Sequence, residues 1–314
     1  MNKALDKRPR EHLQGKVFTK MKERWQLYIL LLPALLYIVL FAYKPMYGVF
    51  IAFQRYSLMG GIWGSRWIGF DNFVRLFSSY WFPIILKNTI TVSVLSIVLG
   101  FPFPIILALF LNEMKHPKLK RVFQTVSYAP YFISTVVMCG MLILFLDPDY
   151  GIINMILGFL KLGSVPFMTK PEYFKWVYVL SGVWQGAGWG AIIYLAALSG
   201  VDPALTEAAT IDGATRIQKI LHINIPAIMP TIIILFILRC GTLLSVGYEK
   251  VYLLQNNYIL SSAEVISTYV YKVGLINQDF GFSTATGLFN SLVNSVILIG
   301  VNTFSRKVGE TSLW

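Results

Sequence analysis

Apolar residues in this 314-residue chain fall in long blocks. Six blocks approach or exceed the roughly 20 residues a helix needs to cross a bilayer core. They lie at about 25 to 43, 88 to 111, 122 to 146, 176 to 198, 227 to 247 and 286 to 304. Two weaker stretches, 151 to 168 and 258 to 276, are broken by Lys161, Gly163, Glu264 and Lys272. They read as interfacial or re-entrant helices. The pattern predicts an all-α membrane protein with six transmembrane helices.

Smaller signals sit inside that pattern. The segment 44 to 87 is long enough for local structure, and within GSRWIGFDNFVRLF (64 to 77) the spacing of Ile68, Phe70, Phe73, Leu76 and Phe77 suits a short amphipathic helix. GFPFP (100 to 104) places proline inside the second block, where it removes a backbone bond and predicts a kink. Gly182, Gly186 and Gly190 share one face of the fourth block, a spacing that lets helices pack closely in lipid.

Composition agrees with the blocks: 56% of residues are hydrophobic, 13% are charged and mean hydropathy is +0.62, against about 25% charge in soluble domains. Charge then sets the orientation, since basic residues near span ends stay cytoplasmic. Residues 1 to 24 carry eight Lys and Arg, and Lys115, Lys118, Lys120, Arg121, Arg216, Lys219, Arg306 and Lys307 follow on the same side. The opposite side holds ten over much longer loops, so both termini are expected in the cytoplasm. The net charge of +12 resides largely in this arm and the inner loops, where topology and anionic lipid account for it and no nucleic-acid partner is implied. The first block, behind a long basic arm, reads as a retained anchor and not a cleavable signal. Cys139 and Cys240 fall within predicted spans, which implies no disulfide framework. The expected division is an arm at 1–24, a permease domain at 25–307 with its core at 86–305, a cytoplasmic loop at 199–226 and a tail at 308–314.

That loop is rich in Ala, Ile and charge and lies between two of the most apolar blocks. Asp202 suits a helix N-cap, Pro203 the first helical position and Gly213 the position just past the end. A helix of about ten residues is marginal alone and needs something to dock against. Leu205, Ala208 and Ala209 form a small-residue face beside Glu207 and Asp212. A second unit with Arg216, Ile217, Lys219, Ile220 and Leu221 is expected to end at Pro226. Physics alone leaves two readings: a docking element for another protein, or a helical connector.

Glu207-Ala208-Ala209, Gly213 after three residues, Ile223 after nine more, then Ile225 and Pro226 resemble the cytoplasmic signature of binding-protein-dependent ABC importer permeases. Only the signature's leucine differs, replaced by Ile225. PMYGVFIAF, WIGFDNF (67 to 73), NEMKHPKLKRVFQTVSYAPYFIS (112 to 134) and TGLFNSLVNSVILIGVN (286 to 302) also resemble the oligosaccharide-uptake branch of the maltose-type family. The resemblance implies a type I ABC importer transmembrane domain with a coupling helix between spans four and five. It assigns coupling to an ATPase to Glu207, Ala208, Ala209, Asp212, Gly213, Arg216, Ile223 and Pro226. The implied partners are a second homologous permease in a heterodimer, two ATPase subunits carrying ATP and Mg, an extracytoplasmic solute-binding protein, membrane lipid and a carbohydrate. The chain is not expected to hydrolyse ATP itself, since no G-x-x-x-x-G-K-[ST] phosphate loop occurs, and the resemblance implies no cofactor bound by this chain.

Buried polar and aromatic side chains are the candidates for the passage. Arg239 stands out, because a charge at the bilayer centre costs about 2.5 to 3.5 kcal/mol on insertion scales and tends to face a cavity or a partner. It suits either the carboxylate of a uronate oligosaccharide or an internal ion pair. Tyr128, Tyr131, Trp184, Gln185, Trp189, Asn290 and Asn294 complete the set. Aromatic faces suit sugar rings and amides suit hydroxyls; equally, the tryptophans suit interface anchors and the asparagines suit helix joining. A membrane enzyme lacks support, since His12, His116 and His222 lie in predicted cytoplasmic segments and no metal-ligand cluster stands out. An ion-coupled secondary transporter would show more spans and inverted repeats. An ABC permease for another solute, such as a polyol phosphate, remains open.

Overall fold

The computed structural model describes residues 24–309 and 311–314, so the basic arm, except for Arg24, lies outside the described residues. Helix α1 runs Trp25–Phe53, ten residues past the expected end of the first block. The expected end falls just before Lys44 and Pro45. Instead a π turn at Val39–Tyr43 opens the backbone just ahead of a proline that donates no hydrogen bond, and the helix continues. None of its most apolar stretch is buried within the chain.

A two-stranded hairpin comes next, β1 Gln54–Arg55 against β2 Arg66–Trp67. Only the second half of the expected amphipathic helix is helical, α2 Asp71–Phe77, because Gly69 turns the chain at φ +62. Helix α3 spans Trp81–Asn112, with the regular helix interrupted at Phe101 within the predicted kink.

The third block departs from the prediction of one continuous span. It forms α4 Pro117–Phe132 and α5 Thr135–Phe145, meeting at 99°. Pro130 and an extended Ile133 break the backbone, and the Ser134 side chain then caps α5. Helix α6, Ile152–Phe159, occupies the first weaker stretch. The long α7, Pro171–Ser199, turns through 76° into α8, Pro203–Ile211. Helix α9 runs Arg216–Cys240, stopping short of the expected 247. The chain then makes α10 Tyr248–Leu254, α11 Leu260–Ala263 and α12 Ile266–Tyr271 before α13, Phe280–Lys307. Among the described residues four helices are long and apolar enough to cross a membrane, or up to six spans if each bent pair counts as one.

Helix α7 is the axis of the bundle. It packs on α3 and α9 through Ala108, Leu109, Ala191, Tyr194, Leu198 and Ile228. A second core joins α3, α5, α7 and the segment 246–265 around Val92, Cys139, Phe174 and Leu254. Glu264 and Lys272, the charges that break the weaker stretch, form an ion pair with each other, and Thr268 Oγ1 donates to Glu264 at 2.9 Å. Close approach falls only partly where the glycine spacing placed it. A Cβ on Gly190 would lie 3.0 Å from Pro104, and one on Gly188 would collide with the Ser127 carbonyl, whereas Gly186 faces open space.

Candidate functional site

Two features concentrate polar chemistry: a cleft along α7, and the α8 region. The cleft, about 470 Å³, lies between α3, α7 and α9. The glycine face of α7 makes it: with hydrogen in place of a side chain, Gly182, Gly186 and Gly190 leave the space that Pro104, Tyr178 and Leu235 enclose. A smaller cavity of about 120 Å³ shares Ser96, Tyr178 and Arg239 with it.

Arg239, near the end of α9, lines both. Among the described residues its guanidinium has no salt-bridge partner. Lys250 also reaches the cleft, from α10. Its Nζ donates to the Tyr178 carbonyl at 2.8 Å and lies 4.6 Å from the centre of that ring. Gly182 makes room for it, since a Cβ there would sit 3.4 Å from Nζ. The lining of both cavities contains these two cations, hydroxyls and one amide, and no carboxylate. An anion entering would meet positive charge in a partly desolvated site, where attraction is stronger than in water. Among the described residues, no three His, Cys, Asp or Glu converge as metal ligands.

Of the eight residues singled out for the passage, Gln185 and Arg239 line the cleft. Gln185 also donates from Nε2 to the Ile133 carbonyl at 2.8 Å, satisfying the backbone where span three breaks. Tyr131 stacks on Trp189 with centroids 4.5 Å apart, and both rings are exposed beside the lining, not within it. Tyr128 is half-buried, and Trp184 points outward from α7. Asn294 clips α13 to the turn after α9: Oδ1 accepts from Leu244 N–H at 2.9 Å and Nδ2 donates to Ser245 Oγ at 2.9 Å. Asn290 Oδ1 is buried without a partner. Sequence reasoning missed Lys250, Tyr178, Ser93 and Ser96. Lys250 stands beyond the fifth apolar block, among the ten basic residues expected on the outer side, and only the fold brings it to Tyr178, 72 residues away.

The α8 region matches its sequence signals residue by residue. Asp202 Oδ1 accepts from Ala204 N–H at 2.9 Å, and Pro203 opens the helix. At the other end Gly213 adopts φ +78. The Ala214 N–H reaches the Ala209 carbonyl at 2.9 Å and the Gly213 N–H the Thr210 carbonyl at 3.2 Å, the two bonds of a Schellman ending. No residue of α8 is buried in the chain. Leu205, Ile211, Ile217 and Leu221 are all exposed around it.

The second unit differs from expectation at Pro226. The chain does not end there: Thr215 and Gln218 form a capping box that starts α9, and a π turn at Ile220–Asn224 carries it past the proline into span five. Lys219 Nζ donates to Thr210 Oγ1 at 3.2 Å, tying α8 to the first turn of α9. Asn224 Nδ2 donates to Glu113 Oε1 at 3.3 Å, tying α9 to the end of α3. Glu207, Ala208, Ala209, Asp212, Gly213 and Arg216 thus form one knob rooted directly in two long helices, with Ile223 in the π turn and Pro226 just beyond it.

Comparison with known proteins agrees with this geometry. Residues 100–309 match the family model described as "Binding-protein-dependent transport system inner membrane component". The chain is 40% identical over 299 residues, 95% of its own length and 93% of the relative's, to the polygalacturonan/rhamnogalacturonan transport system permease protein YteP of Bacillus subtilis (strain 168). It is similar to a chain in the crystal structure of a bacterial ABC transporter involved in the import of the acidic polysaccharide alginate: 41% identity, TM-score 0.86, covering 94% of this chain and 99% of that one. A bacterial alginate ABC transporter solved in complex with an alginate pentasaccharide-bound periplasmic protein matches at 41% identity and TM-score 0.87, covering 95% and 100%.

Proposed function

The chain belongs to the binding-protein-dependent transport system inner membrane components, and from that membership we propose its cargo, partners and orientation. It is a non-catalytic permease subunit of an ABC importer. It passes an acidic oligosaccharide from an extracytoplasmic binding protein to the cytoplasm by alternating access. The observation that carries the acidic cargo is the cleft with Arg239 and Lys250 and no carboxylate in its lining. The relatives named for polygalacturonan/rhamnogalacturonan and for alginate support the same chemistry.

Gln185 and the cleft hydroxyls suit sugar hydroxyls, and the Tyr131–Trp189 stack offers an aromatic face beside the lining. The chain pairs with a second, homologous permease across the open side of the cleft, in the cytoplasmic membrane with both termini inside. Two ATPase subunits, carrying ATP and Mg, receive α8.

The test is uptake into vesicles holding the complete complex, with oligogalacturonate compared against its carboxyl-reduced, neutral counterpart. Losing one charge-assisted hydrogen bond costs about 1.5 to 3 kcal/mol, so Arg239→Gln lowers uptake of the acidic sugar at least about tenfold and spares any neutral sugar carried. Unchanged uronate uptake in an Arg239→Gln complex that assembles normally overturns the acidic-cargo reading.

A further inference from the structure

The β1–β2 hairpin sets two arginines directly opposite each other, Arg55 against Arg66. Like charges facing across a ladder are destabilising, by an amount comparable to the roughly 0.2 to 1 kcal/mol that favourable pairs contribute. Among the described residues neither arginine has an ion-pair partner, whereas nearby Arg75 is paired with Asp279 at 2.8 Å.

The hairpin is nevertheless firmly held. Asn72, 1% exposed, donates from Nδ2 to the carbonyls of Ala52 at 2.9 Å and Gln54 at 3.1 Å. Gln54 Nε2 donates to the Ile62 carbonyl at 2.8 Å, and Phe53 packs against Trp67, Phe70 and Phe73. On this fixed support the tip presents Met59 at 102% and Trp63 at 90% exposure, and the Arg55 side opens onto a polar recess of about 510 Å³ shared with Tyr56 and Gln278. Gln278 holds φ +60 in the wall of that recess, a left-handed conformation uncommon for a side-chain-bearing residue.

A rigid surface of unpaired arginines and exposed tryptophan has the composition of an interface hot spot. Order costs little on binding when the surface is already fixed. We propose that the Gln54–Trp67 hairpin is the docking surface for the extracytoplasmic binding protein, which meets Arg55 and Arg66 with acidic side chains and Trp63 with an apolar pocket. This rests on the permease reading above, in which the N-terminus is inside and the segment between α1 and α3 lies outside. The two arginines draw the partner in and set its register, and their mutual repulsion is relieved when carboxylates arrive between them.

The experiment measures binding of the transporter's purified cognate solute-binding protein, loaded with oligogalacturonate, to the full complex in nanodiscs of phosphatidylcholine or phosphatidylglycerol. The doubly substituted Arg55→Glu, Arg66→Glu complex is expected to bind at least tenfold more weakly in both lipids, with its ATPase rate without binding protein unchanged. Trp63→Ala weakens binding several-fold without altering the salt dependence. Affinity of the unsubstituted complex falls as salt rises, and that slope flattens in the double variant. Equal affinity of the variants and the unsubstituted complex overturns the proposal. A defect seen only in phosphatidylglycerol also overturns it, assigning the arginines to lipid headgroups. If the unsubstituted complex itself fails to bind the loaded protein, the proposed binding-protein partner and acidic cargo fall first, and the hairpin proposal with them.

Discussion

Gly186 and Gly188 stand two residues apart on α7 and serve opposite ends. A Cβ on Gly188 would collide with the Ser127 backbone of α4, whereas one on Gly186 would meet nothing within 4 Å and would project into the cleft. Overpacking a tight contact costs about 1 to 3 kcal/mol, so Gly188→Ala is expected to lower the thermal unfolding midpoint of the purified complex. Gly186→Ala should unfold with the parent protein, and any loss it shows should be in transport. Equal midpoints for both variants would contradict the close contact. The glycine spacing in the sequence announced a small-residue face. Which glycines touch a neighbour and which leave room depended on where the break in span three put Ser127. Arg239 and Gln185 were legible because each is a polar group in an apolar block. Lys250 was not, since it stands beyond the block and only the turn after Cys240 returns it to Tyr178.

Helix α8 is the element the sequence specified most completely, because every signal was local. Asp202, Pro203 and Gly213 act within the helix they bound, and each takes the position its chemistry suits. The segment after α8 was less legible. Pro226 read as a terminus, but the π turn at Ile220–Asn224 makes α8 and span five mechanically continuous through Lys219 and Thr210. Under the proposed coupling role, a knob so rooted would transmit a push. Glu207→Lys reverses the charge on its exposed face. Gly213→Pro forbids φ +78 and removes the N–H that closes the Schellman ending. Both variants should leave the bundle assembled while uptake drops by an order of magnitude or more and ATP hydrolysis loses its dependence on loaded binding protein. The check is paired measurement of ATPase rate and uptake in the same vesicles; normal uptake in both variants would show that α8 carries no coupling.

At the scale of the whole molecule, several surfaces find no partner among the described residues. The most apolar stretch of α1 is unburied, α8 has no buried residue, and the cleft has an open side. Lipid can cover α1. It cannot cover α8, whose neighbourhood carries Glu207, Asp212 and Arg216, nor can it suit a cleft holding Arg239 and Lys250, since charge in hydrocarbon is costly. Hydropathy blocks showed the spans but not these vacant faces, because vacancy depends on how α7 meets α3 and α9. The same surfaces bear on the energy source. The sequence holds no phosphate loop, and the structure leaves α8 exposed at the proposed ATPase contact. Vesicles containing this chain alone should therefore take up no oligogalacturonate under an imposed proton or sodium gradient. Uptake should appear only when the second permease, the ATPase pair and ATP are all supplied with the loaded binding protein, and it should stop when ATP is replaced by a non-hydrolysable analogue. Gradient-driven uptake by the chain alone would make it a secondary transporter and leave α8 without a purpose.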